Sequence, residues 1–183
     1  MVEKRVSTPI SDKTARSLSA GDRVLLTGIL YTGRDAAHKR LFEMMKKGEK
    51  LPIELNGQVI YYVGPCPAKP GAVIGSAGPT TSGRMDAYTP ALLDAGLKGM
   101  IGKGLRSKAV VDSIIKNGAV YFAAIGGAGA LLSQAIKEAE VVAFDDLGPE
   151  AIYRLRVEDF PVTVVIDSSG ADLYKMGQQA YRK

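Results

Sequence analysis

An apolar segment of strand length, a glycine-containing loop and a helical segment follow one another four times along the 183 residues of this chain. In the first unit, a strand at residues 24–30 leads through Gly33 to a helix at residues 34–47, which Gly48 ends. The other units, which are not sequence repeats, place strands at 72–77, 99–101 and 120–125, and helices at 84–95 with a break near Pro90, at 106–117 and at 130–139. Neighbouring parallel strands need crossover connections, which helices supply. The pattern therefore predicts an α/β fold with a largely parallel sheet.

Further apolar segments predict four more strands, at residues 58–63, 141–144, 152–157 and 161–166, the last three without helices between them. Strands that follow one another without a crossover helix favour antiparallel pairing, so we expect a mixed, partly parallel sheet. The length predicts a single domain over residues 1–183. Residues 1–20 are expected to form a peripheral N-terminal segment, and the tail at 173–183 is left unassigned.

The charge balance favours an anionic small molecule over nucleic acid as the ligand. The net charge is +5, which suits either kind of partner. The Lys and Arg residues are scattered singly, Trp is absent and aromatic residues make up 7% of the chain, so the sequence lacks a basic stripe interleaved with stacking rings. No apolar run approaches the roughly 20 residues of a membrane-spanning helix, and the charged N-terminus does not read as a secretory signal. We therefore expect a cytoplasmic protein with no membrane or nucleic-acid partner.

The chain contains one cysteine, Cys66, and one histidine, His38. An iron-sulfur cluster takes three or four thiolates and a zinc site several such ligands. These two residues cannot hold a metal centre alone, so any metal chemistry must come from a partner. Cys66 lies between two prolines with no histidine nearby in sequence, which favours an inert thiol over a nucleophile.

Three of the four strand-to-helix loops carry a cation beside glycine: Arg34 after Gly33, Arg84 after Gly83, and Lys103 between two glycines. Helix N-termini attract anions, glycine lets the backbone approach a ligand closely, and arginine binds a carboxylate or phosphate in bidentate fashion. Any one of these cations, taken alone, is better explained as a solvated loop residue. Three on one predicted edge of a sheet indicate an anion site.

Hydroxyl and imidazole groups accompany these cations. Thr80, Thr81 and Ser82 precede Arg84, and helix capping and a functional role are equally good explanations for them. His38 lies three residues after Asp35 on one predicted helical face. It could act as an acid-base group, but a structural histidine bonded to Asp35 or to a carbonyl is the better interpretation.

Residues 127–132 (GAGALL) match half of a dinucleotide-binding fingerprint, with Asp145 and Asp146 at a suitable distance for a ribose contact. Leu132 occupies the position of the last glycine. The motif is therefore interpreted as close packing of a helix on a strand.

Taken together, an ordered set of motifs resembles the C-terminal region of class I fumarases and the separate β subunits of two-component fumarases and L-tartrate dehydratases. The motifs are LTG at 26–28, TGRDAAH at 32–38, YVGP at 62–65, GPTTSGRM at 78–85, GKG at 102–104, GG at 126–127, LG at 147–148 and VID at 165–167. They keep the family's order over roughly residues 6–175.

The resemblance implies a swivelling β/β/α domain that works with a cluster-bearing α subunit. In that family the partner holds a 4Fe-4S cluster on three cysteines, so this chain is expected to bind none. Arg34, Thr80, Arg84 and Lys103 match positions that contact the dicarboxylate. Thr80 and Lys103 are implied to be catalytic, Thr80 by abstracting or relaying a proton. Asp35, His38, Thr81 and Ser82 are expected to support them.

The resemblance further implies a hydro-lyase that interconverts fumarate and L-malate or dehydrates tartrate. The segments GKGLRS at 102–107 and IGG at 125–127 are more similar to fumarases, which favours fumarate and malate. The alternative is a stand-alone anion-binding or nucleotide-binding α/β domain, suggested by the glycine-rich loops alone.

Overall fold

The computed structural model describes residues 3–124 and 128–181, which form seven strands and six α-helices within those ranges. The strands are β1 (Lys4–Ser7), β2 (Arg23–Thr32), β3 (Val59–Tyr61), β4 (Gly99–Gly102), β5 (Val120–Ala123), β6 (Ile136–Ala143) and β7 (Ile152–Ile166). The helices are α1 (Asp12–Arg16), α2 (Asp35–Lys46), α3 (Thr89–Asp94), α4 (Lys108–Asn117), α5 (Gly129–Gln134) and α6 (Leu173–Tyr181), with 3-10 turns at Ser82–Met85 and Asp145–Glu150. No helix in the described part of the chain is long and apolar enough to cross a membrane.

The sheet is mixed and partly parallel, as the sequence predicted. Its order is β1-β2-β3-β4-β5-β7-β6, and β7 also pairs with β2. All pairings among β1 to β5 are parallel, whereas β7 runs antiparallel to β2, β5 and β6. The extra pairing closes β2, β3, β4, β5 and β7 into a ring.

Strands β3, β4 and β5 are buried on both faces, which is why they read as continuous apolar runs. One face belongs to a cluster shared by the ring strands, with Tyr61, Ile101 and Phe122 among its members. Alternate residues belong to a second cluster that also contains the apolar faces of α2, α3 and α4. The helices therefore cover one side of the parallel strands and leave the loops at their carboxyl ends accessible.

Most of the predicted helices and strands of the repeating pattern are confirmed. β2, α2, β4 and β5 lie within or around their predicted ranges, and α4 ends at Gly118, which adopts a left-handed conformation with φ 58°. Strand β3 lies inside the predicted 58–63 segment. The predicted loop at 126–129 falls largely on residues 125–127, which lie outside the described residues, as does the GG motif at 126–127.

The predicted strand at 72–77 is wrong, because these residues form an irregular loop. Its backbone is tied to the segment after β3, where Cys66 N donates to Ser76 O at 3.0 Å and Gly75 N donates to Cys66 O at 3.2 Å. The apolar residues that suggested a strand pack as loop residues, since Ala77 is buried and Ile74 lies against the ring cluster.

The predicted helices at 84–95 and 130–139 also need correction. Pro90 does not break a helix; it lies in the first turn of α3, where its missing N–H costs nothing. The second helix stops at Gln134, and the chain enters β6 at Ile136. Two glutamates that suited a helix are instead paired across the antiparallel strands, Glu138 with Arg156 at 2.7 Å and Glu140 with Arg154 at 3.3 Å.

The two predicted strands at 152–157 and 161–166 form one strand, β7. Residues 158–160, which separated the two predicted strands, lie within β7. Asp159 has φ 50° within a register shift, and its N–H donates to Thr27 Oγ1 at 3.1 Å.

Secondary structure is also present near both chain ends. Residues 1–20, expected to be peripheral, contribute β1 to the sheet, and Ile10 and Leu18 are buried. The unassigned tail contains α6.

Candidate functional site

Three loops that carry the candidate cations lie together at the carboxyl ends of the parallel strands. Arg34 follows β2, and Lys103 follows β4 directly. The loop that ends at Arg84 returns to the same edge between them. In an open parallel arrangement, ligands bind in loops of this kind.

The segment from Thr80 to Ser82 extends the sheet at this edge. Thr80 N donates to Tyr62 O at 2.7 Å, Lys103 N donates to Thr80 O at 3.3 Å, and Ser82 N donates to Lys103 O at 2.8 Å. Thr81 forms a parallel bridge with Lys103. Backbone pairing therefore fixes the two predicted catalytic residues, Thr80 and Lys103, next to each other.

Asp35 connects the two candidate arginines. Arg84 Nε donates to Asp35 Oδ1 at 2.9 Å, and Arg34 Nε lies 3.9 Å from Asp35 Oδ2. Arg34 Nε and Asp35 Oδ2 are both buried and form no hydrogen bond within the described residues. The structure thus brings the guanidinium groups of Arg34 and Arg84, which lie 50 residues apart in sequence, to one carboxylate.

Glu150 holds Arg34 from the other side. One carboxylate oxygen lies 3.5 Å from Arg34 Nη2, while the other accepts the Ala36 N–H at 3.0 Å and so caps the N-terminus of α2. Gly64 makes room for the arginine, because a Cβ at this position would lie 2.8 Å from Arg34 Nη1. Sequence analysis missed Glu150, which acts across 114 residues.

Ser82 is a structural anchor beneath the site. Its buried hydroxyl lies 2.8 Å from the Tyr121 hydroxyl, which also donates to Gly104 O at 2.9 Å. A Cβ at Gly102 would collide with Ser82 Oγ and approach Tyr62 Cδ2 to 3.0 Å. The glycine before Lys103 is therefore required by the close approach of the Ser82 loop.

The polar side-chain atoms of Lys103 and Thr80 make no hydrogen bond to the described part of the chain. Lys103 is exposed and Thr80 is half-buried, and neither Lys103 Nζ nor Thr80 Oγ1 hydrogen-bonds to any residue within 3–124 and 128–181. Arg84 has 52% of its side chain exposed, against 24% for Arg34. An anion that approached this edge would meet three cations without first unfolding any part of the chain.

His38 is a buried structural residue. Its Nδ1 lies 2.9 Å from Arg34 O, which also accepts the His38 backbone N–H, and its ring packs edge-on against Tyr62. Burial lowers the pKa of His38 to about 4, and the nearby Arg106 guanidinium acts in the same direction. His38 is therefore neutral at physiological pH. Of the two partners considered for a structural histidine, Asp35 or a carbonyl, it contacts the carbonyl of Arg34.

A second buried cation, Arg106, lies directly behind the site and was missed as a functional candidate. Its Nε donates to Asp86 Oδ1 at 2.7 Å, and its side chain is fully buried. In the sequence it was only the first residue of the predicted helix at 106–117.

The residues of this chain do not fit an iron-sulfur cluster. Cys66 is the only thiol and is exposed, and within the described residues no three cysteine, histidine or acidic side chains are placed to hold a metal ion. A cavity of about 400 Å³ adjoins Cys66, but none of the three candidate cations lines it.

The dinucleotide interpretation gains no support. Gly127 lies outside the described residues, and α5 is only six residues long. Asp146 pairs with Arg40 through two contacts of 2.7 and 2.8 Å. Gly129 instead packs tightly against Gly78, which lies in an irregular loop and not in the strand that the packing interpretation expected.

Comparison with known proteins gives one consistent family. A model of the fumarase C-terminus matches residues 2–177. The chain is 43% identical over 168 residues to "Fumarate hydratase 2" of Leishmania major, covering 89% of this chain and 30% of that protein. It is 43% identical over 155 residues to "Fumarate hydratase class I, anaerobic" of Escherichia coli, covering 84% and 28%.

The chain thus spans less than a third of the length of these fumarate hydratases. It is also 39% identical over 181 residues to the protein named "Putative L(+)-tartrate dehydratase subunit beta" of Methanocaldococcus jannaschii, and here the match covers 95% of this chain and 93% of the relative.

Proposed function

This chain belongs to the family of the fumarase C-terminus, and we propose that it is the cluster-free β subunit of a hydro-lyase that interconverts fumarate and L-malate or dehydrates tartrate. The near full-length similarity to a protein named as a subunit beta supports a separate subunit. The fold, with antiparallel β6 and β7 beside a parallel set, is of the swivelling β/β/α kind in this proposal. A single domain and a cytoplasmic location stay predictions.

The meeting of two arginines on Asp35, beside the paired Thr80 and Lys103 backbones, is the observation that carries this proposal. Two carboxylates of a small diacid need cations from more than one direction, and arginine offers planar bidentate donors to each. Arg34 and Arg84 are assigned to the carboxylates, and Lys103 adds a third positive group at the same edge.

The chemistry explains why preorganised cations are wanted. Removal of a proton next to a carboxylate builds negative charge on that carboxylate as the transition state is approached. Fixed cations stabilise this state more than the ground state, so they raise kcat as well as binding substrate. Thr80, next to Lys103, is assigned to abstract or relay the proton.

A 4Fe-4S cluster, when bound by the α subunit, supplies a Lewis acid for the departing hydroxide. The single, exposed cysteine of this chain supports the assignment of the cluster to the α subunit, because such a cluster takes three or four thiolates. The chain's own residues bind and orient the dicarboxylate and handle charge and proton. The enzyme is therefore expected to be a hetero-oligomer of cluster-bearing and cluster-free subunits.

Anaerobic co-expression with a cluster-bearing α subunit tests the proposal. We expect the purified complex to dehydrate L-malate or tartrate, and the chain alone to show little or no turnover. The ratio of kcat/KM for the two substrates decides between them. A complex that carries Arg5→Ala, an exposed arginine of β1, serves as the control and should keep full activity.

Two results would contradict the division of labour. Hydration of fumarate at enzyme-like rates by the chain alone would place the whole reaction within it. Tight binding of a nucleotide or another anion by the chain alone, together with an inactive complex, would favour the stand-alone binding domain.

A further inference from the structure

Arg106 is a fully buried cation outside the set of residues assigned to substrate. Its guanidinium lies between the rings of Tyr62 and Tyr121, with Cζ at 5.4 and 5.0 Å from their centroids. Burial of a charge is costly unless partners compensate it. The position of a fully buried arginine cannot be explained by solubility, so its role must lie in its contacts.

Two of the three hydrogen-bond partners of Arg106 lie in the segment that follows Arg84, and the third is Met100 Sδ, which accepts from Nη1 at 3.6 Å. Nε donates to Asp86 Oδ1 at 2.7 Å, and Nη2 donates to Thr89 Oγ1 at 2.9 Å. The second Asp86 oxygen accepts the backbone N–H of Ser107 at 2.6 Å. Asp86 thus receives donors from two consecutive residues of the loop that carries Lys103.

This pairing joins the two catalytic loops from behind. Asp86 ends the 3-10 turn that presents Arg84, and Arg106 ends the loop that begins at Lys103. In front, the same loops are joined by Ser82 N donating to Lys103 O. Together with the bond from Lys103 N to Thr80 O at 3.3 Å, this contact holds the two backbones where the 3-10 turn begins, and the contact through Arg106 adds an attachment where that turn ends.

We propose that Arg106, acting through Asp86, is a positioning residue that sets the placement of Arg84 relative to Lys103. The proposal rests on the function proposed above, since it concerns the same reaction. Arg106 does not touch substrate, because its side chain is buried behind the loops. Its effect on the reaction is indirect, through the geometry of two cations that do.

The contact geometry requires arginine. The planar fork reaches Asp86 and Thr89 with different nitrogens while its faces rest against two tyrosine rings. Lysine offers one point charge and cannot make both hydrogen bonds in these directions. Arg106→Lys therefore keeps a positive charge at this position but loses the pair of directed hydrogen bonds to Asp86 and Thr89. The variant thus distinguishes the effect of the charge from the effect of the hydrogen-bond geometry.

Steady-state kinetics of the anaerobically reconstituted complex provide the first arm of the test. For Arg106→Lys we expect kcat with L-malate to fall by about 10- to 100-fold, because a displacement of about 1 Å at reacting groups has an effect of this size. KM should change by only a few-fold, since misplaced charges affect the transition state more than the bound substrate. Val164→Ala, which truncates a buried side chain of β7 that belongs to neither loop, is the stability control and should keep the wild-type kcat.

Hydrogen exchange on the chain alone provides the second arm and needs no activity. Arg106→Lys should accelerate amide exchange by at least about 10-fold in peptides covering residues 80–86 and 103–107, while peptides of β2 and β7 stay unchanged. Val164→Ala should not produce this local pattern. Asp86→Asn, which keeps the side-chain shape, repeats both arms if Arg106→Lys does not fold.

Each outcome decides the proposal. Selective loosening of both loops with a lowered kcat supports it. Exchange that rises no more than in Val164→Ala, or an unchanged kcat despite loosened loops, overturns it. An inactive wild-type complex would contradict the proposed function, while the exchange arm would still show whether Arg106 couples the two loops.

Discussion

Asp35 organises the candidate site at the scale of single residues. Two guanidinium groups near one another repel, and a shared carboxylate offsets this repulsion while fixing their directions. Because Arg34, Asp35 and Arg84 are all partly exposed, the pairs contribute little to the free energy of unfolding. These ion pairs instead fix the directions of the two guanidinium groups. We therefore expect substitutions of Arg34 or Arg84 to lower turnover more than stability.

Replacing Arg34, Arg84 or Lys103 by alanine should each lower kcat of the reconstituted complex by about 100-fold or more. Loss of one preorganised group that stabilises developing charge has effects of this order in other enzymes. For the exposed Arg84 and Lys103, urea unfolding should shift by less than about 1 kcal/mol. Lys108→Ala, at a side chain 87% exposed on α4, is the control for a lost positive charge. Full activity of all three variants would rule out the cationic site.

His38 should carry a pH dependence of stability that can be measured without activity. Its folded pKa is about 4 and its ordinary value near 6.5, so the unfolded state takes up the proton first as pH falls. The stabilisation is complete above about pH 6.5 and is lost progressively towards pH 4, by about 3 kcal/mol at most. Urea unfolding at several pH values should show a steeper loss in the wild type than in His38→Gln.

The single histidine makes a direct check available. NMR titration of the one imidazole in the chain should give a midpoint well below 6. A midpoint near 6.5 would mean that His38 is accessible to solvent and could act as an acid-base group after all.

The cations of the site were predictable at the residue scale, whereas their supports were not. Arg34, Arg84 and Lys103 each stand beside glycine, which is a local pattern, although the strand predicted before Arg84 does not form. Glu150 and Arg106 act through contacts with residues 114 and 20 positions away, and no local signal marks them.

At the scale of elements, prediction succeeded where the local pattern and the tertiary contacts agree. Strand β2 and helix α4 have clear periodicity and clear ends. Strand β6 contains glutamates that favour a helix locally, and only ion pairs to β7 explain it. In the loop at 72–77, Ile74 and Ala77 pack on the core whereas Val73 is 48% exposed, so apolarity alone does not distinguish a strand from a loop.

Gly102→Ala tests the packing of the Thr80 loop on β4. The added Cβ would collide with Ser82 Oγ, so we expect a destabilisation of about 1 to 3 kcal/mol in urea unfolding. Ser82→Ala in the same chain should recover part of it by removing the colliding atom, which makes the two changes non-additive. Gly83→Ala is the matched control, because the nearest atom to its Cβ would be Leu105 O at 3.6 Å. Additive effects of the Gly102 and Ser82 changes would show that Ser82 does not pack against Gly102 of β4.

At the scale of the whole molecule, β7 makes the ring possible. It pairs with β2 along one side and with β6 and then β5 along the other. β2 and β5 lie far from β7 in sequence, so these two pairings depend on closure of long loops and not on local pattern. This is why the sequence indicated a mixed sheet without revealing its closure.

The N-terminal segment, residues 1–20, packs against the ring through β1 and several buried side chains. Strand β1 pairs in parallel with β2 over four residues, and Thr8 Oγ1 donates to Ile29 O at 2.7 Å. Four side chains of this segment are buried in the ring cluster: Val6, Ile10, Ala15 and Leu18. If this segment were peripheral, β2 would be covered by other parts of the chain. Instead, β1 pairs with β2 directly.

A chain that lacks residues 1–20 should therefore not fold cooperatively. Burial of a Val, Ile or Leu side chain contributes about 1.5 to 3 kcal/mol, so the loss of this segment approaches the 5 to 15 kcal/mol that stabilises a typical domain. Urea unfolding followed by circular dichroism should show no sigmoidal transition for the shortened chain, and Ile10→Ala alone should cost about 2 to 4 kcal/mol. Lys13→Ala, at an exposed position of α1, should change the free energy of unfolding by less than about 0.5 kcal/mol. A shortened chain with the wild-type midpoint and slope would restore the peripheral interpretation, because it would show that the ring keeps its stability without β1.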